Sequence, residues 1–358
     1  MKSSDIAQAR LSNQFLGGTK CKKPHEVVAW LGAVQAQDFP AAKWALGLRM
    51  HDAIDAAIEK AFDDGSILRT HVMRPTWHFV MPEDIRWMLA LTAHRVKAIL
   101  AHYDRTLEIS DKLLSRCYSV FEKALQGGKN LTREELARNL ADSGIPAKGQ
   151  RLARIVIHAE LGALICSGPR RGKQSTYAWL DERVPEAKTL NRDESLARLA
   201  LTYFTSHGPA QTKDFAWWSG LRMQDAQRGL DMAGRQLAHE IVDGKAYWFF
   251  PATRILKLRP PTAMLLSIYD EYTIAYKDRS ALGERYNERL VSMGNALTSV
   301  ITLDGKIAGT WKKVLKKGRV EIVANLFTRL RNDQKEAVRA AADGYGAFLE
   351  LPVVLSFK

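Results

Sequence analysis

The sequence predicts an α+β chain in which three helical units, each closed by a β-hairpin, precede a β-rich C-terminal module. Three observations carry that expectation. One plan of helix, turn, helix, helix and two-stranded hairpin recurs three times before Pro251. The second helix of each unit opens on similar capping residues. Runs rich in β-branched and aromatic residues, broken by turn residues, close each unit.

Unit one covers residues 1–82. A helix begins near Ser4 and stops at Gly17-Gly18. A second opens at Pro24-His25-Glu26, where proline suits the first helical turn and glutamate the positive end of the dipole. A third spans His51 to Asp63, and SILRTHVMRPTWHFV follows as a hairpin turning at Arg74-Pro75. Unit two covers 83–190. Thr132-Arg133-Glu134-Glu135 is a capping box, in which Thr132 and Glu135 satisfy backbone donors reciprocally. A helix from Gly149 to Leu164 then precedes the short strands LICSG and STYAWL, joined by PRRGKQ. Unit three, 191–251, reads LARLALTYFTSHG, TKDFAWWSGL and MQDAQRGLDMAG as helices. Its hairpin turns at Asp243-Gly244, the strongest short hairpin signal in the chain. Three helices and a hairpin make the winged-helix variant of the helix-turn-helix, whose third helix can enter a major groove while the hairpin touches backbone.

Residues 252–358 break the pattern. Leu256 to Tyr276 reads as strand, loop and strand around Tyr269-Asp270-Glu271-Tyr272. KIAGTWKKVLKKGRVEIVANLF is a long hairpin tipped by Lys316-Lys317-Gly318. A helix, RLRNDQKEAVRAAADGYGAFLE, and a closing strand, LPVVLSF, complete a smaller α+β module.

The composition, 46% apolar and 26% charged, is that of an ordinary globular protein. No apolar run reaches the roughly 18–20 residues that span a bilayer. MKSSDIAQARLSNQF lacks an apolar signal core, so a cytoplasmic, nucleoid-associated protein is expected. Cys21, Cys117 and Cys166 are odd in number and far apart, which argues against a disulfide framework or a cysteine zinc site. Neither a metal-ligand spacing nor a phosphate-cradling glycine loop occurs, so no metal and no cofactor are expected.

Fifty-three Lys and Arg against 39 Asp and Glu leave a net charge of +14, which attracts polyanions. Lys148, Arg151, Arg154 and His158 fall three to four apart on the third helix of unit two. Arg170, Arg171 and Lys173 sit on its wing, and Lys312, Lys313, Lys316, Lys317 and Arg319 mark the C-terminal hairpin beside Trp311. Phosphate contacts from such groups give sequence-independent, salt-sensitive affinity, so duplex DNA is the expected partner of a monomer. Arg222, Gln224, Gln227 and Arg228 are the few candidates for base readout. A solvated basic face, or winged helices used for protein contacts, is the alternative. The chain has no heptad seam of the kind a dimeric regulator uses.

LGAVQAQDFP follows the second helix of unit one. Pro40 disfavours helix at Phe39, so the chain is read as leaving helix here. If extended, Gln35 and Gln37 project to one face and Ala36 to the other. Each amide offers two donors and a carbonyl acceptor with two lone pairs, enough to hold and orient a water. Capping and turn formation is the plainer alternative.

Gln35-Ala36-Gln37, LRTHVMRPTWHFV (68–80), TKDFAWWSGL (212–221), YDEYTIAYKDR (269–279) and GKIAGTWKK (305–313) together resemble the AlkZ/YcaQ-like winged-helix DNA glycosylases. The resemblance spans most of the chain. It implies three tandem winged helices around a basic channel, and monofunctional excision of N7-alkylated purines, including the unhooking of interstrand crosslinks. It also implies that Gln35 and Gln37 are the catalytic element. An N7-alkylated purine already carries positive charge and departs without acid assistance, leaving an oxocarbenium-like sugar. A neutral amide is no useful general base, so the pair would act by fixing a water about 3 Å from the anomeric carbon. Asp38 reads either as a counter-charge or as a turn residue. A crosslinked base cannot rotate out as flipped bases do, so hairpins should hold the duplex, with Arg74 and the Lys316-Lys317-Gly318 tip as contacts. His71 and His78 read as structural, and Asp270 and Glu271 as partners of Lys277, Arg279 or the basic hairpin. The competing expectation is a non-catalytic winged-helix DNA-binding protein or transcriptional regulator.

Overall fold

The structure, a computed structural model, describes residues 2–185, 189–252, 261–283 and 298–358. It is a mixed chain in which helices and short hairpins alternate ahead of a larger sheet. The first segment runs α1 (Ser3–Asn13), α2 (Pro24–Leu31), β1 (Val34–Gln35), α3 (Phe39–Gly47), α4 (Asp55–Asp63), β2 (Leu68–His71) and β3 (Trp77–Val80). Two expectations for it change. The helix read from His51 begins at Asp55, and α3 was not expected at all. Pro40 marks a helix entrance, not an exit. At the second helical position the missing N–H has no intrahelical acceptor to lose, and Asp38 caps the turn by accepting the Ala41 N–H at 2.9 Å. β1 joins the hairpin on the β3 side, giving the antiparallel order β1-β3-β2 with Gln35 opposite His78.

The next segment comprises α5 (Ile85–Thr106), α6 (Asp111–Leu125), β4 (Leu131–Thr132), α7 (Arg133–Asp142), α8 (Gly149–Leu161), β5 (Ile165–Ser167), β6 (Thr176–Trp179) and α9 (Leu180–Arg183). Thr132 and Glu135 exchange the two capping-box bonds at 3.2 and 2.7 Å. Helices α6, α7 and α8 close a core of their own around Cys117, Phe121, Leu136, Leu140 and Ile155. Then come α10 (Arg192–Ser206), α11 (Thr212–Ser219), α12 (Met223–Ala233), β7 (Ala238–Val242) and β8 (Lys245–Phe249). Asp243 and Gly244 take φ of 49° and 74°, the positive pair of a two-residue type I′ hairpin. The core of this segment is continuous with α5 and with Val72 and Met73 of the first hairpin.

The last segment holds β9 (Ala263–Leu266), α13 (Glu271–Ile274), β10 (Val300–Leu303), β11 (Lys306–Lys316), β12 (Arg319–Leu326), α14 (Asn332–Leu349) and β13 (Val353–Phe357). The sheet order is β13-β12-β11-β10-β9, antiparallel except between β12 and β13. Of the strand expected from Leu256, residues 256–260 lie outside the described residues. The strand expected to end at Tyr276 is instead a turn and α13. Tyr269 takes a φ of 66°, and Asp270 accepts the Tyr272 N–H at 2.9 Å, so the segment is capped as a helix start. Trp44 and Trp311 donate their indole N–H groups to the carbonyls of Leu265 and Leu266 at 2.7 and 2.8 Å. One core therefore unites this sheet and α14 with α2, α3 and α4. Among the described residues no helix is long and apolar enough to cross a membrane, and no cluster of His, Cys, Asp or Glu is gathered as a metal would require.

Candidate active site and nucleic-acid interface

Gln35 ends β1, and the ladder carries on one residue further, where the Ala36 N–H donates to the Trp77 carbonyl at 2.7 Å. Ala36 is fully buried, Gln35 is 8% exposed, and Gln37 opens to solvent. The two amides meet donors from the β2–β3 hairpin, Arg74 in its turn and Trp77 at the start of β3. Arg74 Nη2 donates to Gln35 Oε1 at 3.1 Å, and the Trp77 N–H donates to Gln37 Oε1 at 3.3 Å. Neither a guanidinium nor a backbone N–H can accept, so both amides are turned with oxygen toward the hairpin. Arg69 Nε holds the intervening Ala36 carbonyl at 2.9 Å, and its guanidinium stacks 4.2 Å over the Trp77 ring. Asp38, beside the pair, has its carboxylate engaged as the α3 cap.

Beneath the pair lies a charged bed that the sequence reading placed elsewhere. Glu271 is fully buried and accepts the Gln35 N–H at 2.8 Å and the Trp218 indole N–H at 2.9 Å. His207 Nε2 stands 3.6 Å from the oxygen that Trp218 occupies, within ion-pair range but too long for a hydrogen bond. Burial alone would raise the Glu271 pKa; His207, Arg74 and the Gln35 N–H overcome that and hold it below the ordinary carboxylate value. Asp270 instead takes Arg49 in a buried bidentate pair at 2.9 and 2.8 Å. Neither carboxylate pairs with Lys277, Arg279 or the C-terminal hairpin as expected, because α13 turns them inward. His78 is buried opposite Gln35, with Nδ1 at 2.9 Å from the Thr76 carbonyl. Burial first, then the Arg74 charge, push its pKa down to about 3, so the ring is neutral at working pH. His71 lies 2.5 Å from Glu160, which also accepts the Trp77 indole N–H at 3.2 Å, and so ties this hairpin to α8.

The expected nucleic-acid contacts are distributed unevenly. Lys148 is exposed at the start of α8, and Arg151 is half-buried one turn on. Arg154 reaches over Tyr103 at 5.2 Å, while His158 turns inward to Asp104 at 2.9 Å, so the basic face ends before it. Arg170 contacts Glu59 at 3.4 Å and lies over Phe39, and Arg171 pairs with Glu135 at 2.6 Å. Lys173 between them and β6 is exposed. On the C-terminal hairpin, strand alternation separates Lys312 and Lys316 from Lys313, whose ammonium bonds the Tyr345 hydroxyl. Lys317 is exposed at the tip, and Arg319 pairs with Glu321 at 2.6 Å. Of the base-readout candidates, Arg228 pairs with Asp193 at 2.7 Å and Gln227 bonds Asp231 at 2.8 Å. The sequence reading missed Val314 and Leu315, which are 46% and 61% exposed within the lysine run. Two apolar residues at a basic hairpin tip were the signal available for them.

Helices and hairpins in alternation, a basic surface, and two neutral amides on a buried charged bed define a mixed α/β protein whose site has no metal-type ligand cluster among the described residues. The chain belongs to the DNA glycosylase AlkZ-like family, whose model matches residues 28–348. It is similar to the interstrand DNA cross-link repair glycosylase of Streptomyces sahachiroi, at 23% identity over 320 residues, 85% of this chain and 86% of the relative. The solved structure of Streptomyces sahachiroi DNA glycosylase AlkZ matches with a TM-score of 0.82 at 21% identity, covering 99% of this chain and 100% of that one. That last likeness establishes the fold.

Proposed function

We propose that this chain is a monofunctional DNA glycosylase that excises N7-alkylated purines or unhooks interstrand crosslinks, with Gln35 and Gln37 holding the attacking water. The observation that carries the reading is the common orientation of the two amides, each with its oxygen against a donor of the same hairpin. Each oxygen keeps a second lone pair. Two such acceptors can take both O–H bonds of one water and aim its own lone pair outward at the sugar. The water is oriented, not deprotonated, which suffices where the leaving base is already cationic. The ionised Glu271 beneath the pair offsets the Arg74 charge and the neutral His78 adds none, so the surroundings of the pair do not oppose a developing oxocarbenium.

Residues 1–82, 83–190 and 191–251 serve in this reading as three winged-helix units, with 252–358 the β-rich module. The self-contained core of α6, α7 and α8 supports the second of them. Lys148, Arg151, Arg154, Lys173, Lys312, Lys316 and Lys317 provide phosphate contacts, and Arg170, Arg171, Arg319 and Lys313 add field from paired or shielded positions. A monomer acting on damaged duplex would work at the nucleoid and need no cofactor. The test is abasic-site formation in duplex carrying N7-methylguanine, for the wild type and for Gln35→Ala/Gln37→Ala. Release by the wild type alone, with duplex affinity kept by both, is the expected result. Binding without release of any alkylated base would return the chain to the non-catalytic DNA-binding reading.

A further inference from the structure

The β2–β3 turn is built at a conformational cost. Two hydrogen bonds there span only two residues, from the Arg74 N–H to the Val72 carbonyl and from the Thr76 N–H to the Arg74 carbonyl, both at 2.7 Å. The first is centred on Met73, a non-glycine residue at a φ of 63°, which is the rarer and more strained kind of γ-turn. Strain of this sort persists only where neighbours over-determine it. Here two other elements do so. The Met73 N–H donates to Thr92 Oγ1 of α5 at 3.0 Å, and that hydroxyl donates to the Met88 carbonyl at 2.8 Å. Gly220, just after α11, packs so closely that a Cβ on it would lie 2.2 Å from the Met73 oxygen.

The locked turn aims Arg74 inward. Its Nη2 meets Gln35 Oε1 at 3.1 Å, and its Nε is buried without a hydrogen-bond partner, an arrangement that lowers stability. A phosphate contact would need the guanidinium turned out to solvent, whereas here it is turned to the Gln35 amide. The terminal torsion of a glutamine is broad and nearly two-fold, so an unrestrained Gln35 would present oxygen and nitrogen interchangeably. Arg74, which can only donate, selects one of them. Glu271 grips the same residue from behind, at its backbone N–H 2.8 Å away, and offsets the guanidinium charge beside the reacting sugar.

We infer that Arg74 is a positioning residue for base excision, which fixes the amide of Gln35 through a strained turn held by Thr92 and Gly220, and is not a DNA-phosphate contact. The inference rests on the glutamine-site reading above. It is tested by single-turnover release of N7-methylguanine from duplex at saturating protein, together with duplex Kd at two salt concentrations, for Arg74→Met, Arg74→Lys, Thr92→Val and Gln35→Ala. Arg74→Met is expected to slow release about a hundredfold with Kd within about twofold and an unchanged salt slope. Arg74→Lys, which keeps a charge and a donor, should recover part of the rate. Thr92→Val touches no charge and should still slow release several-fold by loosening Met73. Thermal unfolding of each variant is run alongside; should Arg74→Met not fold, Arg74→Lys and Thr92→Val decide. An unchanged release rate in Arg74→Met, with weaker Kd and a salt slope smaller by about one, would make Arg74 a phosphate contact and overturn the inference. A wild-type rate in Gln35→Ala would overturn the glutamine site itself, and this inference with it. Loss of rate in Gln35→Ala but not in the Arg74 and Thr92 variants would overturn this inference alone.

Discussion

At the scale of the residue, His78 illustrates how burial shapes the site. The ring sits opposite Gln35 with its pKa at about 3, against an ordinary 6.5. The unfolded chain therefore takes up a proton below about pH 6.5 that the folded chain refuses, and stability drains away as pH falls from there toward 3. The loss is about 1.4 kcal/mol for each pH unit at most. Thermal unfolding at about pH 7 and pH 5 should show a smaller difference for His78→Asn than for the wild type; equal differences would contradict a neutral, buried ring. Base release should in turn show no limb near pH 6.5 that belongs to His78. Glu271 follows the same sign rule as a carboxylate held below its ordinary value: its contribution is whole at neutral pH and is lost on acidification.

At the scale of the element, α3 matters most because it fixes where β1 ends. Asp38 caps it, so Asp38→Ala should lower stability by about 1 kcal/mol while Asp38→Asn, which keeps an acceptor, should not. Thermal melts of the two variants with parallel rates of release separate this role from an electrostatic one. A cap alone predicts that Asp38→Asn retains the wild-type rate. The sequence reading placed the capped helices and the three hairpins, since capping boxes, Asp243-Gly244 and amphipathic periods are local signals, but it gave no bounds for α5 or α6. It failed at Pro40 because proline opens helices as readily as it ends them, and only the Asp38 cap distinguishes the two. It failed at Tyr269–Tyr276 because two buried carboxylates there face partners more than 200 residues away in the chain, Arg49 and Gln35. The common facing of Gln35 and Gln37 was legible from alternation, while their role came only from the family resemblance. The inward turn of Arg74 was not, as it depends on Thr92 and Gly220 from other segments.

At the scale of the whole molecule, buried arginines bind the segments. Arg49 and Asp270, both fully buried, join the end of α3 to the turn before α13. Arg10 of α1 lies 3.6 Å over the Tyr276 ring and donates to the Pro209 carbonyl at 3.0 Å. A pair such as Arg49–Asp270 adds little over apolar packing while intact, but removing one partner strands a buried charge. Asp270→Asn should lower stability by about 3–5 kcal/mol, measured by denaturant unfolding, and should also slow release because Glu271 is its neighbour. A loss under about 1 kcal/mol would mean that solvent reaches Arg49.

The central claim is that Gln35 and Gln37 hold one water together, and single-turnover base release tests it most directly when Gln35→Ala, Gln37→Ala and the double variant are compared at saturating protein. Groups acting as one unit are not additive. Each single variant is therefore expected to lose nearly as much rate as the double variant, with duplex affinity unchanged. Losses that multiply, or a wild-type rate in either single variant, would contradict a shared water.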